Sequence, residues 1–314
     1  MNLNRRRLRQ LLLSAAAVLS VMSALGALAR QAWWLELFSH FRPQYALSLA
    51  AIGLALLFLR PRLLGALCLL VAGMNAWPLA HYLRAKDTAF AGGQPFRAVL
   101  ANVYYRNSRP ERLLAFVRAE QPDFAVFLEV TPAWEQALAG LADLLPYQAR
   151  SGELLVASRR PLDGLRPVAL ASSGAGTLVW SEAGLTVIGG HANWPLGPRI
   201  AASRDEELRV LAALARSLEG PVLLLADLNV TAFSPAFDDL LARSRLADCS
   251  AGRGWHPTWP ALFPPAWLQI DHCLHSVDVA VDHVRTGPWN GSDHYPVVIE
   301  GRLNAARDRS TRRR

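Results

Sequence analysis

Three stretches near the N-terminus, residues 11–29, 45–59 and 63–83, contain no Asp, Glu, Lys or Arg. No other feature narrows the fold so much. A backbone placed in lipid must satisfy its own hydrogen bonds, so such runs form helices. The first and third match the roughly 20 residues needed to cross a bilayer; the second is shorter. Arg5-Arg6-Arg7-Leu8-Arg9 precedes the first stretch and Arg60-Pro61-Arg62 separates the second from the third. The preference of basic loops for the cytoplasm puts both clusters on that side. Three crossings, with a tight helical hairpin at Pro61, then carry everything after residue 83 out of the cytoplasm. Trp33, Trp34 and Trp77 fall near segment ends, where indole rings favour the headgroup zone. The competing reading makes residues 11–29 a cleavable export signal ending at Ala27-Leu28-Ala29. The apolar core is long for a signal, and either reading exports the C-terminal domain, provided the following two segments form a hairpin.

The chain is therefore expected to divide into an anchor (1–84), a Gly- and Pro-containing linker (85–95), a folded domain (96–302) and a basic, disordered tail (303–314). Charge supports this division. The 314 residues carry a net +8, but residues 91–302 hold 18 arginines, no lysine and 22 acids, a net of −4. The positive charge belongs to the flanks, so a domain gripping a long polyanion is disfavoured. Of the three cysteines, Cys68 lies in an apolar run, and Cys249 and Cys273 read as two buried thiols unless the fold brings them together.

Within the domain, strand-like runs are expected at 96–102, 124–130, 154–158, 177–181, 185–191, 221–227, 269–275, 277–284 and 295–300. Helical spacing marks 110–120. Thr131-Pro132 reads as a helix N-cap followed by proline at the first helical position. Ser203-Arg204-Asp205-Glu206 reads as a capping box opening a helix to about residue 218, and Ser234-Pro235 opens a shorter one. Interspersed helices and hairpin-length connections predict a layered α/β domain with mixed sheets.

The chemistry sits at strand ends. Glu129 and Asp227 each close a run that should be fully buried, and a buried carboxylate is usually paired or bound to metal. Asp227 and Asn229 are two residues apart, on one side of an extended chain, where they can share a hard cation and a water. Asp271 and His294 suggest an imidazole whose tautomer and basicity a carboxylate fixes. Asp293 stands beside that histidine, Asn102 ends the first strand, and His191 ends another and can donate to a phosphoryl oxygen. Zinc at Asp271-His272-Cys273-Leu274-His275 is disfavoured, because alternation puts His272 opposite Cys273 and His275. A serine nucleophile at Ser292 lacks the G-x-S-x-G elbow.

The order Asn102, Glu129, His191, Asp227-x-Asn229, Ile270-Asp271-His272, Ser292-Asp293-His294 resembles the endonuclease/exonuclease/phosphatase (DNase-I-like) superfamily over residues 96–301. With the apolar segments, the layout resembles its bacterial membrane-anchored branch. The resemblance implies an α/β fold, a four-layer sandwich of two mixed β-sheets flanked by helices. It implies Mg²⁺, or Mn²⁺ in its place, near Asn102 and Glu129; Asp293, by its place beside His294, is expected to bind the metal or a second water. Asp227 and Asn229 would position the attacking water, Asp271 would orient His294, and His191 and His294 would contact the phosphate. Asp227 and His294 both stay open as proton acceptor. Two departures stand out: Ala226-Asp227-Leu228-Asn229 replaces the usual Gly-Asp-Phe-Asn, and Gln269 stands where many members have Arg.

The expected activity is metal-dependent hydrolysis of a phosphodiester, phosphomonoester or pyrophosphate outside the cytoplasm. A lipid-linked phosphate is favoured as partner, since tethering raises the effective concentration of substrates in the same membrane. A nuclease is the alternative, disfavoured by the charge balance; an inactive membrane-bound binding module is the second. Residues 254–268, rich in Trp and Pro, either pack a long loop onto the domain or offer an apolar surface to a lipid chain or bilayer.

Overall fold

The computed structural model describes residues 3–84, 92–170 and 176–304. Most of the expected linker and nearly all of the basic tail lie outside the described residues. The N-terminal helices are α1 (Leu3–Ala27), α2 (Trp33–Ser39), α3 (Arg42–Phe58), α4 (Arg62–Ala76) and α5 (Ala80–Leu83). Two helical stretches, Asn4–Ala27 and Arg62–Leu83, are long and apolar enough to cross a membrane. The second expected segment is more elaborate than its sequence suggested. It begins at Arg42, not at 45, and forms with α2 a pair bent by 55°. Pro43 sits in the first turn of α3, where its missing N–H costs nothing. The hairpin expected at Pro61 forms. Its helices meet at Gly53 and Gly65, where a Cβ on either would come within 2.9 Å or 2.8 Å of the other's carbonyl oxygen. Ser23 on α1 and Asn75 on α4 exchange hydrogen bonds at 2.8 and 3.2 Å.

The following domain contains β1 (Gln94–Asn102), α6 (Pro110–Glu120), β2 (Phe124–Leu128), α7 (Pro132–Leu138), β3 (Tyr147–Ser151), β4 (Leu154–Ser158), β5 (Asp163–Val168), β6 (Thr177–Glu182) and β7 (Leu185–His191). It continues with α8 (Pro198–Ser217), β8 (Val222–Asp227), α9 (Pro235–Ser244), β9 (Ala247–Asp248), β10 (Asp271–His275), β11 (Val279–Thr286) and β12 (Val297–Leu303). The strands form two mixed six-stranded sheets, ordered β11-β12-β1-β2-β4-β3 and β5-β6-β7-β8-β10-β9. Parallel pairs β1–β2 and β7–β8 lie at their centres, with antiparallel partners outside. Alternation along the strands assigns the faces. Ala98, Leu100, Val126, Val187, Leu223 and Leu225 fill the space between the sheets. Val99, Ala101, Ala125 and Phe127 face α6 and α7, while Ile188, Leu224 and Ala226 face α8 and α9. The result is the expected four-layer sandwich.

Several boundaries are corrected. The helix expected to open at Ser203 begins at Pro198, after Gly197 at φ +104°. Pro198 sets the first turn, and Ser203 and Arg204 lie inside the helix. Strands β3, β5 and β9 had no signal in the sequence; each is the edge of its sheet and is wholly or partly exposed. Cys249 and Cys273 are a disulfide, not two thiols. They sit where Cys249 N–H donates to Cys273 O across the β9–β10 edge.

The N-terminal helices do not hang free of the sandwich. Glu36 on α2 accepts from Arg204 on α8 and from Ser234, the N-cap of α9, and all three are buried. His40 bonds Thr231 at 2.9 Å, and Gln44 donates to Trp267 O at 2.7 Å. From α5, the carbonyls of His81 and Tyr82 accept from Gly252 and Gly254, and Tyr82 packs edge-on against Phe233.

Candidate active site

The expected groups converge because strand ends from both sheets meet at one end of the sandwich. Asn102 ends β1, Glu129 follows β2, His191 ends β7 and Asp227 ends β8, with His191 and Asp227 paired in register. Asp271 opens the antiparallel β10 opposite Asp227. His294 precedes β12. Asn102 Nδ2 links the two sheets, donating to Glu129 Oε1 at 2.9 Å and to Asp227 Oδ2 at 3.2 Å.

Glu129 and Asn229 both have a left-handed backbone, at φ +58° and +51°, a conformation uncommon for residues with a side chain. Surrounding bonds hold each in place. Val130 N–H donates to Glu153 O, and Tyr105 N–H donates to Glu129 Oε2 at 3.2 Å. Asn229 N–H donates to Asp227 Oδ1 at 3.0 Å, and its Nδ2 donates to Ala192 O at 2.8 Å. Asn229 therefore ties the loop after β8 to the loop after β7. The departure at Leu228 does not disturb this: Leu228 is fully buried and its N–H donates to Ile270 O.

His294 Nδ1 lies 2.8 Å from Asp271 Oδ2. Its Nε2 faces Asp227 Oδ2 at 3.9 Å, and His191 Nε2 approaches the same oxygen at 3.8 Å. Burial opposes charge on His294, but Asp271, by charge and hydrogen bond, with Asp227 and Asp293, overrides it and raises the imidazole to about 10. Burial and the nearby Asp271 charge lift Asp227 to about 6 against the pull of His294 and His191. Asp293 is raised chiefly by burial. Its Oδ2 accepts from Trp259 Nε1 at 3.2 Å, while Oδ1 is buried with no hydrogen-bond partner.

Asp227, Asp271 and His294 offer ligand atoms within 4.8 Å of one another. The 2.8 Å bond to Asp271 already engages Nδ1 of His294, however, which suits an orienting pair better than a chelate. Glu129 and Asp293 offer carboxylate oxygens of the kind a hard divalent cation prefers, whereas Asn102 turns its Nδ2 to the site while its Oδ1 accepts from Tyr104 N–H at 3.0 Å. The orphaned Asp293 Oδ1, and four carboxylates facing two imidazoles, fit an added cation there.

Other residues support the site without an evident sequence signal. Ser292 donates to Asn102 O and accepts from His294 N–H, which makes it a brace, not a nucleophile. Thr258 Oγ1 accepts from the N–H groups of Ile270 and Asp271. Glu207 accepts from both nitrogens of Asn193 and pins the loop after His191. Gln269 is buried, its amide joining His256 N–H to Ser250 Oγ; the second departure is thus a loop tie. His272 is turned away, its Nε2 on Val230 O.

This fold, with carboxylates and imidazoles gathered where two central parallel strand pairs end, defines a class. Residues 99–294, more than half of the chain, match the family described as Endonuclease/Exonuclease/phosphatase. The chain belongs to that family. Solved structures share the fold. An endonuclease/exonuclease/phosphatase from Beutenbergia cavernae is 20% identical with a TM-score of 0.55, covering 68% of this chain and 72% of its own. Sphingomyelinase C from Streptomyces griseocarneus is 19% identical with a TM-score of 0.53, covering 66% and 99%. D. rerio TDP2 complexed with a single-strand DNA product is 14% identical with a TM-score of 0.57, covering 66% and 98%. No curated protein matches the chain.

Proposed function

We propose that this protein is a membrane-anchored, divalent-cation-dependent phosphoesterase that hydrolyses a lipid-linked phosphodiester, phosphomonoester or pyrophosphate outside the cytoplasm. The observation that carries the reading is the buried Asp271–His294 pair directed at Asp227, in a site that also holds the carboxylates of Glu129 and Asp293.

Paired with Asp271 in a buried site, His294 is an imidazolium. It has no free lone pair, so it serves as cation and donor to a phosphoryl oxygen. The proton of the attacking water goes to Asp227, whose Oδ2 lies between the two imidazoles and whose Oδ1 is held by Asn229. His191 donates to a second phosphoryl oxygen. Glu129 and Asp293, with Asn102 once its amide is turned, would hold Mg²⁺, or Mn²⁺ in its place, which would neutralise phosphoryl charge. Charge-complementary groups fixed before reaction are the largest source of rate enhancement in such sites.

Three features support the location. The Cys249–Cys273 disulfide suits an oxidising compartment. The basic clusters, Arg5 to Arg9 and Arg60 with Arg62, fall at the helix ends away from the sandwich, as the positive-inside preference requires. α1 packs against its neighbours as an integral helix through Ser23 and Asn75, which favours retention over cleavage.

The test uses full-length protein in nanodiscs with Mg²⁺. It is assayed against a polyprenyl pyrophosphate, phosphatidylglycerol, plasmid DNA and bis-p-nitrophenyl phosphate, with EDTA and Asp227→Ala controls. Turnover of a lipid, lost in both controls, is the expected result. DNA cleavage without lipid turnover would make it a nuclease. No turnover and no bound metal would make it a binding module.

A further inference from the structure

The anchor contacts are concentrated at one end of the sandwich. Glu36 and His40 meet Arg204 in the second turn of α8 and residues 231–234 after β8, while Gln44 meets the loop before β10. The loops after β7 and β8 and before β10 are those that adjoin His191, Asp227 and Asp271. The catalytic end of the second sheet is thus the end seated on the apolar helices.

The same loops carry large apolar side chains that the domain leaves uncovered. Trp194 (58% exposed) and Leu196 (51%) lie between β7 and α8; Leu262 (67%) and Phe263 (59%) lie between β9 and β10. Since β7 and β10 flank β8 in the sheet, the two loops leave it on either side of Asp227. Both loops are held, not loose. Asn193 is locked by Glu207, and Leu196 N–H closes a turn onto Trp194 O. In the second loop Trp259 and Leu268 pair across its base, and Trp259 reaches Asp293. Ala261 N–H donates to Asp293 O, and Ala261 O accepts from Tyr295. The base of this Trp- and Pro-rich loop packs on the domain, and its tip projects Leu262-Phe263. Val277, the comparably exposed residue after β10, lies at the opposite end of that strand.

We propose that Trp194, Leu196, Leu262 and Phe263 form an apolar rim that dips into the surface of the bilayer holding the chain's own helices, so that the site takes a phosphoester from a lipid headgroup in that leaflet. The occupant is a lipid surface because the rim is continuous, through Gln44–Trp267 and Glu36–Arg204, with the helices that enter the membrane. Apolar rings and chains at headgroup depth gain burial without losing the hydration of the charged site between them. The inference rests on the anchored phosphoesterase reading and narrows its substrate to one presented in the membrane plane.

The test separates the two. Leu262→Cys and, as a control, Val277→Cys are each made in the full chain and labelled with an environment-sensitive fluorophore without reductant, leaving Cys249–Cys273 intact. In nanodiscs the Leu262 label should shift to the blue and be quenched severalfold by nitroxide-bearing lipid, with the Val277 label quenched instead by aqueous iodide. A Leu262 label quenched by iodide and not by the lipid overturns the rim. Leu262→Glu combined with Phe263→Glu should lower the ratio of polyprenyl pyrophosphate or phosphatidylglycerol turnover to bis-p-nitrophenyl phosphate turnover at least tenfold; an unchanged ratio also overturns it. If the unaltered protein hydrolyses none of these esters, the phosphoesterase reading falls, while the fluorescence still decides the rim.

Discussion

In the proposed mechanism the chemistry turns on Asp271 and His294, and titration tests this pair directly. In metal-free protein the His294 imidazole should titrate near 10, read by NMR of histidine-labelled material. Asp271→Asn removes the strongest force raising it and leaves burial, which lowers it, so the value should fall by several units. The sign for stability follows. A histidine raised above its unfolded value of about 6.5 stabilises fully below that pH, and the contribution disappears as pH rises through about 10. Asp227, raised to about 6, prefers its neutral form when folded and adds to the loss as pH rises from about 4 to 6. Apparent melting of the metal-free protein should therefore drop between about pH 4 and 10, and Asp271→Asn should flatten the upper part of that drop. For activity, Asp227→Asn should cost at least ~100-fold in kcat, the usual yield of a positioned base. Ser292→Ala, which touches no reacting atom, should cost less and act by loosening Asn102.

At the scale of elements, edge and centre behave differently. The continuous apolar runs of β2, β4, β7 and β8 were readable because each is buried on both faces, and α6 and α7 because the apolar spacing of the first and the Thr131-Pro132 cap of the second are local. Strands β3, β5 and β9 were not, since an edge strand pairs on one side only and tolerates polar, exposed residues. The Cys249–Cys273 disulfide braces the β9 edge. Closing a loop of about 25 residues limits the unfolded chain by roughly 3 kcal/mol. Cys273→Ser, and the unaltered protein under reductant, should both show a lower melting temperature, with no further effect of reductant on the variant. In the anchor, Gly53 and Gly65 let two helix backbones approach within a carbonyl's reach. Gly65→Val should part α3 and α4, seen as loss of an engineered cross-link between them and as faster proteolysis in detergent.

For the whole molecule, the buried Glu36–Arg204–Ser234 cluster joins helices to sandwich and makes them one unit. Removing one partner of a buried ion pair strands the other charge, at about 3–5 kcal/mol. Glu36→Ala should therefore raise hydrogen exchange in residues 231–244 and lower melting, whereas a paired replacement, Glu36→Leu with Arg204→Met, should recover much of the loss. A domain cut free of its anchor should behave like Glu36→Ala. By itself the sequence determined the apolar helices, the layered α/β class and which residues gather at the candidate site, because hydrophobic periodicity, caps and strand-end carboxylates are encoded within a few neighbouring residues. Only the tertiary structure decided that Cys249 meets Cys273, that α8 starts five residues before its apparent capping box, that Gln269 ties loops, and that the candidate-site end of the second sheet sits on the N-terminal helices. Each of these depends on which distant residue comes to lie opposite: Arg204 is an ordinary helix arginine until Glu36, 168 residues away, is packed against it.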